Sequence, residues 1–506
     1  MPPRSPLTSL LRAHIASRRE RALAECIAGA HALQHGKTDA ALQRYVAGVA
    51  LAPHDADIAA LHGVALRSAA RLHDAQRELI RAIALDASRA DSFTQLAQTY
   101  RMAGDRPQAA QAFLAAATKL PHDAIAWRDA AEALRLADRI TDGLTAAHHA
   151  ASLAPCDASI ANTTALLLHR AGRITDAIAL CERVRCIDPD DLHLALTHAM
   201  LSRTLGRYDD GWALYERRLE LPAFTQRPFP PTSPHWDGSP LAGRSILVRA
   251  EQGLGDQIHF LRWACLLNAR GASEVIVQAA PPLVRLFRGA DGIDIVVASD
   301  RPAPVHAVHV NHGSLPYLLR TGGDMRGDRV PYLQSANGSS ILPARTAGQL
   351  RLGIVWGGSP LQEDNRFRSI PLAALLQAIT RPNVEIVVLQ QGPARTQLHA
   401  LDSAVSTALI DAAPSCADMY DTARLAAECD VVLSVCTSVA HLAGALGLPT
   451  WLMLGTPAEW RWGINADRTD LYPTMRLFRQ EQPGDWTSVL NAVRIAISIW
   501  FTTYDT

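Results

Sequence analysis

The sequence has no net charge and no spacing typical of a metal site. Lysine plus arginine and aspartate plus glutamate each total 49 among its 506 residues. Such a chain has no overall field that attracts nucleic acid or an anionic membrane, so we expect no nucleic-acid partner. None of the eight cysteines stands in a CxxC pair. We therefore assign no metal and interpret the cysteines as reduced thiols of a cytoplasmic protein.

Long apolar runs are also missing. The N-terminal segment Met1–Glu20 contains arginines but no continuous apolar stretch, unlike a secretory signal. The most apolar stretch, residues 431–454, is interrupted by Gly444, Gly447 and Pro449, whereas a transmembrane helix needs about 20 largely apolar residues in succession. We interpret this stretch as a strand, a helix and a second strand of a buried α/β core, and expect no integral membrane segment.

A regular self-similarity dominates the first half. Small or turn-forming residues recur at a constant spacing, and a second series of small residues lies five positions after the first. The first series is Gly36, Ala70, Gly104, Asp138, Gly172 and Gly206, and the second is Ala41, Ala75, Ala109, Gly143, Ala177 and Gly211. Positions 53, 87, 121, 155 and 189 have the same period and carry proline in all cases but one.

Two helices per period explain these series. A turn residue would separate the two helices, a small residue would let them approach closely, and proline suits the end of the second helix. The chain resembles the tetratricopeptide repeat, which has the same period. This resemblance implies an α superhelix of about six repeats over residues 20–223, after an N-terminal extension of residues 1–19. The array would serve either as a cradle for a protein or peptide or as a structural support for the second half.

Strand and helix patterns alternate in the second half, which is typical of parallel sheets covered by helices. The predicted strands are residues 245–250, 274–278, 293–297, 350–355, 384–389, 431–435 and 450–454. A proline-rich linker, residues 224–241, precedes them, and residues 322–348 form a second break rich in glycine, serine, asparagine and proline.

These breaks predict two doubly wound, Rossmann-like lobes. The first lobe would span residues 242–341 and the second residues 342–485, with a C-terminal helix over residues 486–506. Ligands of such sheets bind beyond the carboxyl ends of the strands. We therefore expect a ligand cleft between the lobes.

The first candidate motif is Glu251-Gln252-Gly253-Leu254-Gly255-Asp256, between the first predicted strand and its helix. Gly253 and Gly255 would let a ligand approach the backbone closely. Asp256 falls at the helix start, where aspartate is a common capping residue. It would alternatively act as a general base that takes the proton from an acceptor hydroxyl. The motif lacks the full GxGxxG dinucleotide fingerprint.

The second motif follows the first strand of the second lobe. Trp356-Gly357-Gly358 leads into a segment that contains Arg366 and Arg368. Two arginines beside a loop can neutralise a departing diphosphate. A solvated loop with surface charge is the alternative interpretation.

The third motif contains Thr437, Ser438 and His441, where a buried strand ends and a helix begins. Thr437 and Ser438 suit the helix cap, and the free N–H groups of the first turn can bind an anion. His441 lies one turn into the helix, close enough to reach a phosphate or ribose. Lone histidines are nevertheless more often structural.

Further polar and aromatic groups follow predicted strands. Gln390 lies at a strand end, where it could meet a base or ribose, and Trp460 and Trp462 follow the last predicted strand. These two rings would stack on a ligand or, more simply, pack in the core.

Taken together, the three motifs resemble glycosyltransferase family 9, the heptosyltransferase-like enzymes, in a branch fused to tetratricopeptide repeats. The matching stretches are residues 251–256, 368–371 and 438–445, within a resemblance that covers about residues 236–486. The layout of repeats plus transferase is also similar to the protein O-GlcNAc transferases, although the motifs fit the heptosyltransferase pattern better.

This resemblance implies a GT-B fold, no required metal or cofactor, and a nucleotide-diphosphate sugar as the donor. It implies that Asp256 is the catalytic base. The donor-binding residues would be Gly253, Gly255, Gln257, Trp356, Arg366, Arg368, Gln390, Thr437, Ser438 and His441. The acceptor would be a protein, peptide or glycan hydroxyl, with the repeats docking the acceptor or a partner.

Two positions differ from the family pattern. Cys436 stands where an acidic residue is usual, and Phe367 stands where a polar residue is usual. A thiol does not accept hydrogen bonds as a carboxylate does. The alternative hypothesis is therefore a non-catalytic repeat scaffold with a degenerate transferase domain.

Overall fold

A computed structural model describes residues 6–225, 229–230, 232–321, 330–334, 340–345, 348–362, 364–403, 405 and 408–504. The chain forms two compact units, Met1–Thr197 and His198–Thr506, called here the N-terminal and the C-terminal unit. Most of the predicted break at residues 322–348 and parts of the predicted linker at residues 224–241 lie outside the described residues.

Helix pairs fill the first part of the chain, as the repeat pattern predicts. The pairs are α1 (Pro6–Gln34) and α2 (Thr38–Leu51), α3 (Ala56–Ser68) and α4 (Leu72–Leu85), α5 (Ala90–Met102) and α6 (Arg106–Lys119), α7 (Ala124–Leu136) and α8 (Ile140–Leu153), α9 (Ala158–Arg170) and α10 (Ile174–Arg185), and α11 (Leu192–Thr204) and α12 (Tyr208–Tyr215). From α3 onward, the first helix of each pair begins exactly one sequence period after its predecessor.

The two predicted residue series have distinct roles in each pair. All six turn residues adopt a positive φ, from 59° at Ala70 to 78° at Gly104, and so end the first helix in the left-handed region. The residues five positions later are buried in the helix interface. Several first helices are capped by an aspartate; Asp123, for example, accepts hydrogen bonds from the N–H groups of Ile125 and Ala126. The first part is therefore a helical repeat array of the tetratricopeptide type.

Two parallel sheets follow. The first contains β1 (Ser245–Arg249), β2 (Glu274–Ala279), β3 (Ile295–Ala298) and β4 (Val308–Asn311) in the order β3-β2-β1-β4. The second contains β5 (Leu350–Val355), β6 (Val384–Val388), β7 (Leu409–Ile410), β8 (Val431–Val435), β9 (Thr450–Leu454) and β10 (Met475–Arg479) in the order β10-β9-β8-β5-β6-β7. Buried apolar strands such as β5 and β8 fit a sheet that is covered on both faces.

Helices connect the strands of the C-terminal unit. They are α13 (Pro222–Thr225), α14 (Leu254–Ala264), α15 (Val284–Phe287), α16 (Leu315–Leu318), α17 (Asn365–Arg368), α18 (Leu372–Ile379), α19 (Met419–Ala427), α20 (Ser438–Ala445) and α21 (Trp486–Tyr504). The apolar stretch at residues 431–454 forms β8, α20 and β9, as predicted. Among the described helices, none has the length and apolar character needed to cross a membrane.

The last helix pair groups with the sheets. The boundary between the compact units falls inside α11, so α12 belongs wholly to the C-terminal unit. Trp212 of α12 is only 1% exposed and packs against Phe260 and Trp263 of α14. One buried cluster extends from the first sheet through Trp212 to α20 and Tyr472.

Candidate functional site

Each sheet has one point where the order of the strands reverses. In the first sheet the chain proceeds from β1 to β2 and β3 on one side, while β4 lies on the other side of β1. In the second sheet β6 and β7 lie on one side of β5, and β8, β9 and β10 on the other. Ligands of open parallel sheets bind at such switch points, beyond the carboxyl ends of the strands. The three sequence motifs follow β1, β5 and β8, which are strands at these points.

Asp256 serves as a capping residue and remains partly accessible. It is the third residue of α14, and its Oδ2 accepts a hydrogen bond of 3.2 Å from the N–H of Gly253. Its Oδ1 accepts a bond of 2.6 Å from Nη2 of Arg461, although 26% of the Asp256 side chain stays exposed. A carboxylate has about four acceptor positions, so Asp256 keeps the capacity to accept a further proton donor.

Arg461 lies between two carboxylates. It belongs to a short 3₁₀ helix, Trp460–Trp462, after β9, and its Nη1 lies 2.5 Å from Oε1 of Glu459. Burial acts to lower the pKa of Arg461, but Glu459 and Asp256 outweigh burial and raise that pKa. Burial raises the pKa of Glu459, Arg461 opposes this, and Asp256 adds to it. The site therefore contains a permanent cation held by two acidic groups.

His441 is a buried, neutral histidine beside the start of α14. Its Nδ1 lies 3.0 Å from the hydroxyl of Tyr472, and its ring stacks on Trp462 with 5.3 Å between centroids. Burial, with Arg461 and Arg262, lowers its pKa well below the ordinary value. At neutral pH the ring can offer an N–H or a lone pair but no charge.

Gly255 allows α14 and α20 to start side by side. A Cβ atom at this position would lie 2.9 Å from Cδ2 of His441 and 3.4 Å from Cα of Ser438. Only glycine permits so close an approach without displacement of the histidine. The structure therefore brings Gly255 against Ser438 and His441, and Asp256 is the next residue of α14.

Thr437 and Cys436 complete the start of α20. Thr437 is the N-cap residue, and its hydroxyl lies 3.2 Å from that of Ser434. The sulfur of Cys436 accepts a hydrogen bond of 3.2 Å from the Trp462 indole. Burial, with Glu459, raises the pKa of the Cys436 thiol to about 11, so position 436 carries no negative charge at neutral pH.

Gln390 and Trp356 shape the loop after β5. The amide oxygen of Gln390 accepts hydrogen bonds from the N–H groups of Trp356 and Gly357, at 3.0 and 2.9 Å. Its amide nitrogen donates to the carbonyls of Gly357 and Gln391, at 3.0 and 2.7 Å. The Trp356 ring is fully buried in the core of the second sheet. Gln390 thus holds the loop in place through backbone groups, while the indole Nε1 of Trp356 is buried without a hydrogen-bond partner among the described residues.

Arg366 and Arg368 lie on α17, which follows that loop. Arg368 is half-buried, and its Nε donates to Oδ1 of Asn365 at 3.3 Å. It lies close enough to Cys436 to lower the pKa of that thiol against the effect of burial. Arg366 is exposed and lies over the ring of Phe367, 4.3 Å from its centroid. Arg368 is therefore the arginine nearer to the start of α20.

Gln257 and Glu251 act as internal supports. Gln257 is buried, and its Oε1 accepts a 2.9 Å bond from the N–H of Ala280 at the end of β2. Glu251 is also buried and pairs with Arg218 at 2.8 Å, while the N–H of Gly313 donates to the same oxygen at 2.6 Å. This carboxylate of the first motif thus connects β1 to the loop after β4.

Sequence reasoning did not single out Arg461, Glu459 or Tyr472. Arg461 was visible only as the residue between two tryptophans, and 205 positions separate it from Asp256. Nothing in the local pattern distinguishes it from other arginines. A charged residue between two aromatic residues in the loop that follows a buried strand is the one feature that could have drawn attention to it.

The fold and the site define a class: a tetratricopeptide-type helical array followed by parallel α/β sheets with two helix starts side by side. The chain matches no protein-family model. Protein FlbA of Caulobacter vibrioides is 25% identical over 301 residues, which cover 52% of this chain and 48% of that protein. The chain thus spans about half the length of this relative.

Solved structures resemble the chain over roughly a third of its length. Pseudomonas aeruginosa PilF is 17% identical, with a TM-score of 0.33, over 40% of this chain and 93% of that chain. YrrB, described as a TPR protein with an unusual peptide-binding site, is 15% identical, with a TM-score of 0.30, over 35% of this chain and 91% of that chain. Because these scores are low, the repeat architecture rests on the helix pairs themselves.

Proposed function

We propose that the chain is a glycosyltransferase that moves a sugar from a nucleotide-diphosphate sugar to a hydroxyl acceptor. The observation that supports this most is the contact of Gly255 with Ser438 and His441. This contact sets the start of α14, which carries the partly exposed Asp256, against the start of α20, and both helices follow strands at the switch points of their sheets. A base and an anion-binding helix start are the two groups that such a transfer needs.

In this proposal Asp256 takes the proton of the acceptor hydroxyl as the sugar is transferred. The first-turn N–H groups of α20, which begin at Ser438 next to the N-cap residue Thr437, would stabilise the departing diphosphate. Arg368, and Arg366 beside it, would supply positive charge for the same group. Arg461 holds the Asp256 carboxylate in position.

The repeat array would dock the acceptor or a protein partner. Its first helices carry exposed apolar side chains, among them Met102 at 58% and Ile125 at 43% exposure. Exposed apolar groups on a repeat array are typical of protein-binding surfaces. If these residues dock the acceptor, Met102→Glu and Ile125→Glu will raise the KM for the acceptor and leave donor hydrolysis unchanged.

Replacement of Asp256 tests the catalytic role. Asp256→Asn should lower turnover by about 100- to 10 000-fold, the usual range for loss of a general base. Donor affinity should change little, because the asparagine amide oxygen can still accept the Gly253 N–H. Asp418→Asn is the matched control, since Asp418 also caps a helix of this unit by accepting from Tyr420 and Asp421. Unchanged turnover in Asp256→Asn would remove Asp256 from this role.

A screen of nucleotide sugars tests the reaction itself. The full chain is incubated with each donor, with and without candidate protein, peptide and glycan acceptors, and products are detected by mass. We expect slow hydrolysis of one donor, and transfer once the acceptor is present. Absence of both reactions for every donor would contradict the proposal.

A non-catalytic interaction protein is the second candidate. Two observations favour it: Cys436 is a neutral thiol bonded to Trp462, and both oxygens of Asp256 already have partners. Titration calorimetry against the same donors separates the two candidates. Binding of a donor supports the transferase, and no binding by any donor supports the scaffold.

A further inference from the structure

Four side chains that carry hydrogen-bonding nitrogens surround the ring of Trp460. The guanidinium carbons of Arg461 and Arg203 lie 4.4 and 4.6 Å from its centroid. The rings of Trp212 and His259 lie at 5.3 and 5.9 Å. The cluster joins α11, α12, α14 and the 3₁₀ helix that holds Arg461, and it therefore adjoins Asp256.

The polar atoms of this Trp460 cluster are incompletely satisfied within the described residues. Nε1 of Trp212, Nε of Arg461 and both ring nitrogens of His259 are buried without a hydrogen-bond partner there. Native proteins leave few buried polar atoms in this condition. Indole and guanidinium nitrogens only donate hydrogen bonds, so the cluster has more donors than acceptors.

Arg203 differs from Arg461 and Arg218 of this region in its partners. It is only 5% exposed and lies 4.1 Å from the Tyr215 ring centroid and 4.9 Å from that of Trp212. Its one hydrogen bond within the described residues runs from Nε to the carbonyl of Ala199, at 3.1 Å. Arg461 and Arg218 have two carboxylates each, whereas Arg203 has no carboxylate within ion-pair distance among the described residues.

The electrostatic surroundings of Arg203 agree with its lack of a carboxylate partner among the described residues. Burial, with Arg461 and Arg218, lowers the pKa of Arg203 to about 10, although Tyr215 and Glu459 oppose the change. Arg203 nevertheless stays protonated at neutral pH. A buried cation whose terminal nitrogens have no anionic partner is complementary to an oxyanion.

We propose that Arg203, a residue of the last repeat, binds an oxyanion, the carboxylate or phosphate group of the acceptor molecule. Its assignment to the acceptor rests on the proposed function, because the Arg203 side chain lies on the Asp256 side of the site. Tyr215, which stacks on Arg203, receives a hydrogen bond from Gln252 in the loop that precedes Asp256. The binding of an oxyanion itself does not depend on the proposed function.

Gly211 makes room for the Arg203 side chain. A Cβ at position 211 would lie 2.5 Å from Cγ of Arg203 and 3.2 Å from the carbonyl oxygen of Ala199. Four other repeats have alanine at the equivalent position. The glycine thus permits the course that the Arg203 side chain takes between the rings.

Titration of the full chain with simple oxyanions tests the proposal. The probes are inorganic phosphate, inorganic pyrophosphate and glucuronate, which distinguish a phosphate from a sugar carboxylate, with heat and tryptophan fluorescence as readouts. We expect binding of at least one probe, and a loss of about 10- to 100-fold in affinity in Arg203→Met, as for a hydrogen bond to a charged group. Arg101→Met, at the same position of an inner repeat, should retain the affinity, because Arg101 is exposed and lies outside the Trp460 cluster.

Two results would overturn the proposal: no probe binds to the wild-type chain, or folded Arg203→Met binds as tightly as wild type. If Arg203→Met does not fold, Arg203→Lys decides, because its shorter point charge should still weaken binding about tenfold. Oxyanion binding without sugar transfer would retain the site and contradict the proposed function. Sugar transfer with an acceptor KM that Arg203→Met leaves unchanged would support the proposed function and contradict the role of Arg203 in binding the acceptor.

Discussion

Three inner repeats and the last repeat carry arginine at the same position of their first helix, with different results, while the repeat before the last has His169 there. Arg67 donates to the Gln95 carbonyl at 3.1 Å, Arg101 is exposed, and Arg135 forms two bonds of 2.8 Å with Glu132. Arg203, at the equivalent position of the last repeat, is buried against aromatic rings. The sequence position determines where the arginine side chain leaves its helix, and the elements packed against that helix determine what the side chain contacts.

The second helices show the same contrast. In the inner repeats the equivalent position is alanine except at Gly143, where a Cβ would lie 2.7 Å from Cδ2 of Leu167 in the next repeat. In the last repeat Gly211 accommodates Arg203, and the next residue, Trp212, packs on α14. Helix α12 of the last repeat thus packs as part of the C-terminal unit. The following predictions test how far the last repeat differs from the inner repeats.

Loss of Trp212 should have the largest effect. Trp212→Ala removes a ring that is 1% exposed and contacts four other aromatic side chains, at a cost of about 3–5 kcal/mol in the free energy of unfolding. Trp127→Ala, in an inner repeat, should cost about 1–2 kcal/mol, because Trp127 is only partly buried. Urea unfolding followed by circular dichroism gives both values. Equal costs would mean that the last repeat is no more integrated than the others.

Addition of a methyl group at position 211 should have the next largest effect. Gly211→Ala meets Cγ of Arg203 at 2.5 Å, so we expect a loss of about 1–3 kcal/mol from overpacking. The double variant Gly211→Ala/Arg203→Ala should recover most of this loss, which a double-mutant cycle measures. No recovery would show that the strain lies elsewhere.

Acid should destabilise the C-terminal unit through its buried histidines. Burial, with Arg461 and Arg262, lowers the folded pKa values of His259 and His441 well below 6.5. Below about pH 6.5 the unfolded chain therefore binds more protons than the folded chain. The free energy of unfolding then decreases by up to about 1.4 kcal/mol per pH unit for each histidine. Tryptophan fluorescence reports this unit, because all tryptophans except Trp127 lie beyond residue 197.

His259→Phe should reduce the slope of stability against pH by about a third between pH 6.5 and 5, because one of three histidines of the C-terminal unit with lowered folded pKa values, His259, His309 and His441, no longer titrates. The control is His149→Phe, since His149 is exposed and stacks on Trp127 in the N-terminal unit. A slope equal to that of the wild-type chain in His259→Phe would assign the acid sensitivity to other groups.

The smallest effect should come from a feature that both regions share. Exposed Arg–Asp pairs recur at the start of second helices, as Arg173–Asp176 in an inner repeat and Arg207–Asp210 in the last. Arg173→Ala and Arg207→Ala should each change the free energy of unfolding by less than about 0.5 kcal/mol. A much larger value for Arg207→Ala would extend the special role of the last repeat to its surface.

The repeat array and the core strands could be predicted from the sequence, because their patterns are periodic. The recurring small residues located the turns, and β5, β8 and β9 have the predicted bounds. The strands β4, β7 and β10 were not predicted. β7 is only two residues long, and β4 and β10 alternate apolar with polar residues and lack a continuous apolar run.

The candidate site could be predicted only in part. Asp256, Ser438 and His441 were found because each follows a strand at a helix start, a local pattern. Arg461 could not be found in this way, since its pairing with Asp256 depends on how distant segments meet. Trp356 and Gln390 follow strands too, yet packing directs the ring inward and backbone groups occupy the amide.

The Arg218–Glu251 pair determines where the protein can be divided. Counting repeats suggests a cut near residue 223 or 241, after the last helix pair. A fragment that starts there would retain Glu251, whose side chain is fully buried, but would lack its partner Arg218. A buried charge that loses its partner in this way costs about 3–5 kcal/mol in the free energy of unfolding. An autonomous C-terminal fragment must therefore begin ahead of Arg218, within the residues that the repeat count assigns to the helical array.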